Sequence, residues 1–92
     1  MTDTLTLRVK GEYFDAIKSG EKTFEYRLVT GYWARRIIGR DYKNVIVTKG
    51  YPKRDDTSRI MKFPWRGYTN ETITHPHFGD KPVKVFSIRV GE

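Results

Sequence analysis

Cysteine is absent from this chain, which excludes disulfides and thiolate metal sites. Only two histidines are present, so a metal ion would depend on them, on carboxylates or on backbone oxygens. We predict no cofactor and no resident metal. Long apolar runs are also absent, since no stretch approaches the ~20 apolar residues of a membrane-spanning helix. Residues 1–6 lack the apolar run of a secretory leader. The expectation is a soluble cytoplasmic protein without a membrane partner, and the oligomeric state stays open.

Apolar residues are scarce as well, at 37% of 92 residues. A chain of this length has room for one domain and one core, so we predict a single domain over residues 1–92. Aromatic residues make up 14% of the chain, and each of them buries a large area. No repeat or low-complexity tract divides the sequence.

Negative charge is scarce in the middle third of the chain. The formal net charge is +7, and residues 31–66 carry ten basic and three acidic side chains, whereas the segments on either side are balanced. Clustered positive charge concentrates phosphates near a surface, so this third predicts a surface that binds an anionic partner. A solvated surface whose charge serves solubility is the alternative.

The apolar pattern predicts an α+β domain. Period-two alternation indicates strands at 4–10 and 23–28, Val45 and Val47 mark another that ends at Gly50, and a weaker strand covers 58–63. Helical spacing predicts a helix at 12–19 capped by Gly20, and a helical turn at 31–39. Residues 64–80 are predicted to be mostly loop, with a short strand near 71–74. Residues 83–90 form a last strand whose apolar parity switches, which indicates a bulge or burial on both faces.

The most informative segment is residues 20–27, GEKTFEYR, which follow the pattern G-x-K-x-x-E-x-R between a predicted helix and a predicted strand. In this motif the chain resembles the ASCH family of the PUA-like superfamily. Residues 7–10 and the helix after them are similar to the first strand and helix of that family, and residues 83–90 are similar to its closing strand. The likeness covers about half of the chain and leaves out the basic middle third.

The resemblance implies a small PUA-like mixed β-barrel with one or two short helices and a cleft that binds RNA or a modified nucleoside. The motif residues agree with this in part. Glu25 and Arg27 lie two apart on one strand, hence on one face, and they offer an acceptor and donors to a base edge. Lys22 lies in the preceding turn, where its ammonium can reach a phosphate or a carbonyl oxygen. The alternative is a surface ion pair worth well under ~1 kcal/mol.

Whether the chain is an enzyme stays open at this stage. One branch of the family is hydrolytic and removes acyl groups from N4-acetylcytidine with a Thr nucleophile. This chain has Glu25 at that position, and a carboxylate that attacks an amide gives an unstable anhydride. Lys22 and Glu25 would be catalytic only if Glu25 activated a water as a general base. Thr23 lies about 6–7 Å away along the strand, too far to replace the missing hydroxyl.

A second catalytic alternative follows from ASCH proteins that are described as metal-assisted ribonucleases. The candidate residues here are Glu25, His75, His77 and Asp80. His75 and His77 lie two apart in a segment predicted to be extended, where they could share a divalent ion or act on a 2′-hydroxyl. A polar surface loop is the alternative interpretation of this histidine pair.

Aromatic and cationic residues alternate in the basic third, as in proteins that bind single-stranded RNA by stacking at ~1–3 kcal/mol per base. Arg35, Arg36 and Arg40 are predicted to contact phosphates. Most of the aromatic residues are expected in the core, because so small a domain has few other apolar side chains. Trp65, between Pro64 and Arg66, is predicted to be partly exposed and to stack on a base.

Overall fold

The computed structural model describes residues 3–53 and 55–91. Met1, Thr2, Arg54 and Glu92, which belong to the predicted single domain, lie outside the described residues. The strands are β1 (Thr4–Val9), β2 (Phe24–Leu28), β3 (Asn44–Lys49), β4 (Ile60–Pro64), β5 (Tyr68–Ile73) and β6 (Val83–Arg89). The helices are α1 (Gly11–Ser19) and α2 (Gly31–Ile37), and two short 3₁₀ turns cover Thr57–Arg59 and Pro76–Phe78.

The strands form two sheets of three strands each. In the first sheet, β1 pairs with β3 in parallel and β4 pairs with β3 in antiparallel orientation, in the order β1-β3-β4. The second sheet is antiparallel throughout, in the order β2-β6-β5. The predicted α+β class is confirmed. No closed barrel is found among the strands of residues 3–53 and 55–91.

One hydrophobic cluster joins both sheets and both helices. Its buried members are Leu5, Leu7, Val9, Phe14, Ile17, Ile37, Val45, Val47, Phe86, Ile88 and Val90. The alternation of β1 predicts its inward residues correctly, because Leu5, Leu7 and Val9 are all buried. Burial of each large apolar side chain contributes roughly 1.5–3 kcal/mol, so these few residues supply most of the driving force for folding.

Helix α1 begins after Lys10 and packs Phe14 and Ile17 into the core. It ends at Gly20, which has a φ of 87° and whose N–H donates to the carbonyl of Ile17. Lys22 then donates its backbone N–H to the carbonyl of Ala16 at 3.0 Å. The predicted helix and its glycine cap are confirmed, and this tight turn places Lys22 beside the start of β2.

Strand β6 is the centre of the second sheet and is buried on both faces, as the parity switch in its sequence predicts. Glu25 pairs with Ile88 and Arg27 pairs with Phe86. Directly paired residues lie on the same face of a sheet. Glu25 and Arg27 therefore lie on the face that carries core residues, and the apolar residues of β2 lie on the other face.

The structure differs from the sequence-based expectation over residues 64–80. We predicted mostly loop with a short strand near 71–74, but β5 runs from Tyr68 to Ile73 and pairs along its whole length with β6. Its side chains are largely polar, so they carry no alternating pattern, and pairing with β6 determines its conformation. The segment of the two histidines is extended only at His75, because Pro76–Phe78 forms a 3₁₀ turn that contains His77.

The turn at Gly20 generates a stability prediction. A residue with a Cβ in the left-handed conformation costs about 1–2 kcal/mol, and each kcal/mol lowers Tm by roughly 4–8 °C in a domain of this size. A Cβ at residue 20 would meet no other atom within 4 Å, so the cost is conformational rather than steric. We expect calorimetry to show a lower Tm for Gly20→Ala than for the wild-type protein, by roughly 4–8 °C for each kcal/mol of this cost. The decrease should be smaller for Gly20→Asn. Equal Tm values for all three proteins would contradict this account.

Candidate functional site

A cleft of about 190 Å³ opens beside the motif, and we refer to it as the motif cleft. It is lined by Arg8, Val9, Lys10, Tyr13, Lys22, Glu25, Tyr26, Arg27, His75, His77 and Phe78. The end of β1, the middle of α1, the start of β2 and the 3₁₀ turn before β6 all contribute to it. The core packing of β1 and α1, together with the pairing of β2 with β6, therefore positions much of its lining.

The three charged residues of the motif lie side by side in this cleft. Glu25 Oε1 lies 3.5 Å from Lys22 Nζ, and Glu25 Oε2 accepts a hydrogen bond from Arg27 Nη2 at 3.2 Å. Glu25 Oε1 also accepts from the backbone N–H of Tyr26, and Arg27 Nη2 also donates to the carbonyl of Arg8 at 2.8 Å. The side chains of Lys22, Glu25 and Arg27 are 16%, 9% and 19% exposed. They form a largely buried cluster, unlike the exposed surface pair that the sequence left as an alternative.

Aromatic rings surround both cations of the cluster. Lys22 Nζ lies 4.7 Å from the ring centre of Tyr26 and 5.5 Å from that of Tyr13. The guanidinium of Arg27 lies 5.0 Å from the ring centre of Trp33. Such contacts attract the cation to the ring face and hold its side chain in one orientation.

Burial affects the electrostatics of Arg27. It lowers the pKa of the guanidinium from its ordinary value, and the carboxylate of Glu25 opposes that shift. Arg27 still carries its charge, because arginine does not deprotonate in proteins. Its Nε is buried and has no hydrogen-bond partner among the residues that the structure describes. The carboxylate of Glu25 is thus the main source of stabilisation for this buried charge.

Tyrosine and histidine rings form the other wall of the motif cleft. The ring centre of Tyr13 lies 5.8 Å from those of both His75 and His77, each in an edge-on arrangement. Phe78 lies 5.0 Å from His77, also edge-on. His75 Nδ1 accepts a hydrogen bond from the backbone N–H of His77 at 3.1 Å. The 3₁₀ turn therefore presents both imidazoles to the cleft.

The phenol of Tyr13 stays protonated across the physiological pH range. Desolvation raises its pKa above the ordinary value, and the charges of Glu12 and Glu25 raise it further. A protonated phenol can donate a hydrogen bond as well as accept one. Tyr13 thus adds a neutral donor beside the cationic groups of Lys22 and Arg27.

Sequence reasoning did not assign Tyr13, His75 and His77 to a binding cleft. It considered the two histidines only as residues that share a divalent ion or act on a 2′-hydroxyl, with a polar surface loop as the alternative. The sequence contained one signal for Tyr13: its polar hydroxyl, which a core position rarely needs. No local pattern predicts that the loop before β6 folds back against α1.

The four residues proposed for a metal-assisted ribonuclease do not come together. Glu25, His75 and His77 line the motif cleft, whereas Asp80 does not. Among residues 3–53 and 55–91, no group of three or more His, Asp or Glu side chains is arranged to hold a metal ion.

Arg35, Arg36 and Arg40 line a second, larger cleft of about 550 Å³, which we refer to as the arginine cleft. Its lining consists of Thr4, Leu5, Thr6, Arg8, Tyr32, Trp33, Arg35, Arg36, Arg40 and Tyr42. Helix α2 supplies Arg35 and Arg36, and the turn after it supplies Arg40. The hydroxyl of Thr30 accepts from the N–H of Trp33 and caps this helix at its start.

Trp65 is not among the residues that line either cleft. It is half-buried and packs against the core, and its ring centre lies 5.2 Å from that of Tyr42. Other aromatic residues of the basic third also pack against the core, as the small number of other apolar side chains predicts: Trp33, Tyr42 and Phe63. The structure thus does not bring Trp65 together with the other predicted ligand-binding residues.

Comparison of this chain with protein-family models, with curated proteins and with solved structures gave no match. No helix in the described part of the chain combines the length and the apolar character that crossing a membrane requires. The chemistry of the two clefts is therefore the basis for a proposal about function.

The buried cluster generates a second prediction. Glu25→Gln removes the carboxylate that neutralises two neighbouring cations, so we expect it to lower the free energy of unfolding by about 1–3 kcal/mol. Urea denaturation at pH 7 measures this change. Adding Lys22→Met should recover part of the loss, because it removes one of the two uncompensated charges.

Glu21→Gln is the matched control, since Glu21 lies in the same turn and is exposed. Its change in unfolding free energy should stay within about 0.5 kcal/mol. Equal stabilities of the Glu25→Gln and Glu21→Gln variants would show that the carboxylate of Glu25 does not hold the cluster together.

Proposed function

We propose that the motif cleft binds the nucleobase of an RNA or of a modified nucleoside, and that the chain belongs to the ASCH family. One observation carries the proposal. A carboxylate, an ammonium and a guanidinium are held together by direct contacts within a small cleft that is walled by aromatic and imidazole rings. This combination suits a planar heterocycle that carries both hydrogen-bond donors and acceptors.

The size of the motif cleft favours a single base. Its volume of about 190 Å³ is below the range of roughly 300–1,000 Å³ that is usual for larger ligands. Tyr13, Tyr26, His75, His77 and Phe78 supply flat rings along its walls. Stacking of a base on such a ring contributes about 1–3 kcal/mol and tolerates different bases.

The polar groups of the cleft suit the edge of a base. A carboxylate oxygen accepts more than one hydrogen bond, so Glu25 can accept from an amino or imino group of a base while it keeps its present contacts. Arg27, Lys22 and the phenol of Tyr13 can donate to ring nitrogens or carbonyl oxygens. Proteins that recognise single-stranded RNA read the edges of unstacked bases in this way.

The charge of the cleft favours a ligand that carries phosphate. Among its lining residues, Arg8, Lys10, Lys22 and Arg27 are cationic and Glu25 is the one carboxylate. An excess of positive charge in a concave surface attracts anions and speeds their association. RNA carries a phosphate next to each base. The aromatic rings of the cleft can therefore contact the base while its cationic side chains contact the phosphate.

Family membership rests on the motif at residues 20–27. The order of strand, helix and strand at the start of the chain supports it, because β1, α1 and β2 follow one another as the resemblance implies. In this proposal the two sheets and their shared core correspond to the small PUA-like mixed β-barrel of the family.

The hydrolytic alternatives have less support. Glu25 occupies the place of the Thr nucleophile and is engaged by Lys22 and Arg27, and Thr23 is exposed and does not line the motif cleft. The metal-assisted ribonuclease lacks a ligand set among the described residues. We therefore propose binding without turnover as the activity of the motif cleft.

Calorimetric titration against a panel of nucleosides and short single-stranded RNAs tests this proposal. We expect saturable binding of at least one base or modified base. Arg27→Lys should weaken it about 10-fold or more, because a charge-assisted hydrogen bond contributes about 1.5–3 kcal/mol and Lys does not reproduce the planar guanidinium. Arg59→Lys is the matched control, since Arg59 is exposed and lines neither cleft.

Two results would contradict the proposal. The first is the absence of saturable binding across the panel, or equal affinities for the Arg27→Lys and Arg59→Lys variants. The second is turnover: release of cytidine from N4-acetylcytidine would favour the amidohydrolase, and metal-dependent cleavage of labelled RNA would favour the ribonuclease.

A further inference from the structure

We infer that the arginine cleft binds the backbone phosphates next to the base held in the motif cleft. The ligand would then be a single-stranded RNA of two or more nucleotides rather than a free nucleoside. This inference rests on the proposed function of the motif cleft and names the class of its ligand. Four observations support it. Three concern the arginine cleft: its charge, the anchoring of two of its arginines and its continuity with the motif cleft. The fourth is the small size of the motif cleft.

The charge of the arginine cleft is of one sign. Its lining includes four arginines, Arg8, Arg35, Arg36 and Arg40, and no Asp or Glu. None of the four forms an ion pair with a carboxylate in the described part of the chain. Like charges gathered in one concave surface repel one another, and an anion relieves that repulsion. A solvated surface that serves solubility alone has no need to gather its cations in a cleft without acidic residues.

Two of the guanidinium groups, those of Arg36 and Arg40, are anchored in position before any ligand binds. Arg36 lies 3.5 Å from the ring centre of Tyr32 and donates to the carbonyl of Tyr32 at 3.0 Å. Arg40 Nε donates to the carbonyl of Arg35 at 3.1 Å, and its terminal nitrogens make no hydrogen bond with a described residue. Anchored side chains lose less entropy on binding, and the planar guanidinium matches phosphate oxygens in pairs.

The two clefts share a wall. Arg8 lines both of them, and Arg27 of the motif cleft packs on Trp33 of the arginine cleft at 5.0 Å. A chain that leaves the motif cleft past Arg8 therefore enters the arginine cleft directly. The arrangement places a phosphate-binding surface where the backbone of a bound nucleotide would continue.

The small motif cleft also restricts the form of the nucleic acid. A base enters a cleft of about 190 Å³ only when it is unpaired and unstacked from its neighbours. Bases of a duplex are held in pairs inside the helix. The expected ligand is consequently single-stranded, with one base in the motif cleft and its neighbouring phosphates in the arginine cleft.

Fluorescence anisotropy with a labelled ten-nucleotide single-stranded RNA of mixed sequence tests this inference. Arg35→Ala and Arg40→Ala should each weaken RNA binding about 5- to 20-fold. Each should also reduce the slope of log affinity against log salt concentration, by about 0.7 for every phosphate that the variant no longer neutralises. The affinity for the free nucleosides of that RNA, measured by calorimetry, should stay unchanged. Arg40→Lys should keep the salt slope, because it keeps the charge.

Lys62→Ala is the matched control, since it removes the same charge from an exposed position on β4 that lines neither cleft. Arg35 and Arg40 are exposed, so their variants should fold, which circular dichroism verifies. An RNA of the same bases with an uncharged methylphosphonate backbone should bind both wild type and the variants equally weakly.

Three results would overturn the inference. They are equal RNA affinities of the Arg35→Ala, Arg40→Ala and Lys62→Ala variants, equal binding of charged and uncharged backbones, and loss of nucleoside affinity in the arginine variants. Failure of the proposed function has a different signature. In that case Arg27→Lys leaves RNA binding intact while Arg35→Ala and Arg40→Ala still weaken it.

Discussion

The carboxylate of Glu25, held between Lys22 and Arg27, is the interaction on which the site depends. Two cations this close would repel each other and separate without it. The cluster lies on the face of β2 that also carries core residues, because Glu25 pairs with Ile88 in the second sheet. Charges at such positions destabilise a small domain unless they are paired. The contacts of Glu25 with Lys22 and Arg27 provide this pairing, and all three residues line the motif cleft.

The core and the clefts are built by the same elements. Packing of α1 against the core places Tyr13 at the motif cleft, and the turn at Gly20 then returns the chain so that Lys22 reaches Glu25. Helix α2 buries Ile37 and presents its arginines on the opposite side, toward the arginine cleft. One shared core thus positions the elements that line both polar clefts, in a domain that has few apolar residues.

Local sequence patterns predicted those helices and strands whose conformation depends on residues that are close together in the sequence. Period-two alternation predicts β1, helical spacing predicts α1, and the spacing of Glu25 and Arg27 places them on one face of a strand. The inward orientation of that face depends on the register between β2 and β6, which is a long-range property. The same limit explains the error at β5, whose polar residues form a strand through pairing with β6. It also explains why His75 and His77 were not assigned to the motif cleft, since contact with Tyr13 places them there.

Mapping of the RNA-contacting residues by nuclear magnetic resonance tests the central claim most directly. Titration of ¹⁵N-labelled protein with the single-stranded RNA should shift the amide signals of Tyr13, Lys22, Glu25, Arg27 and His77 first and most strongly, with those of α2 shifting alongside them. Shifts confined to β4 and the 3₁₀ turn before it, which line neither cleft, would contradict the account. So would the absence of any saturable change.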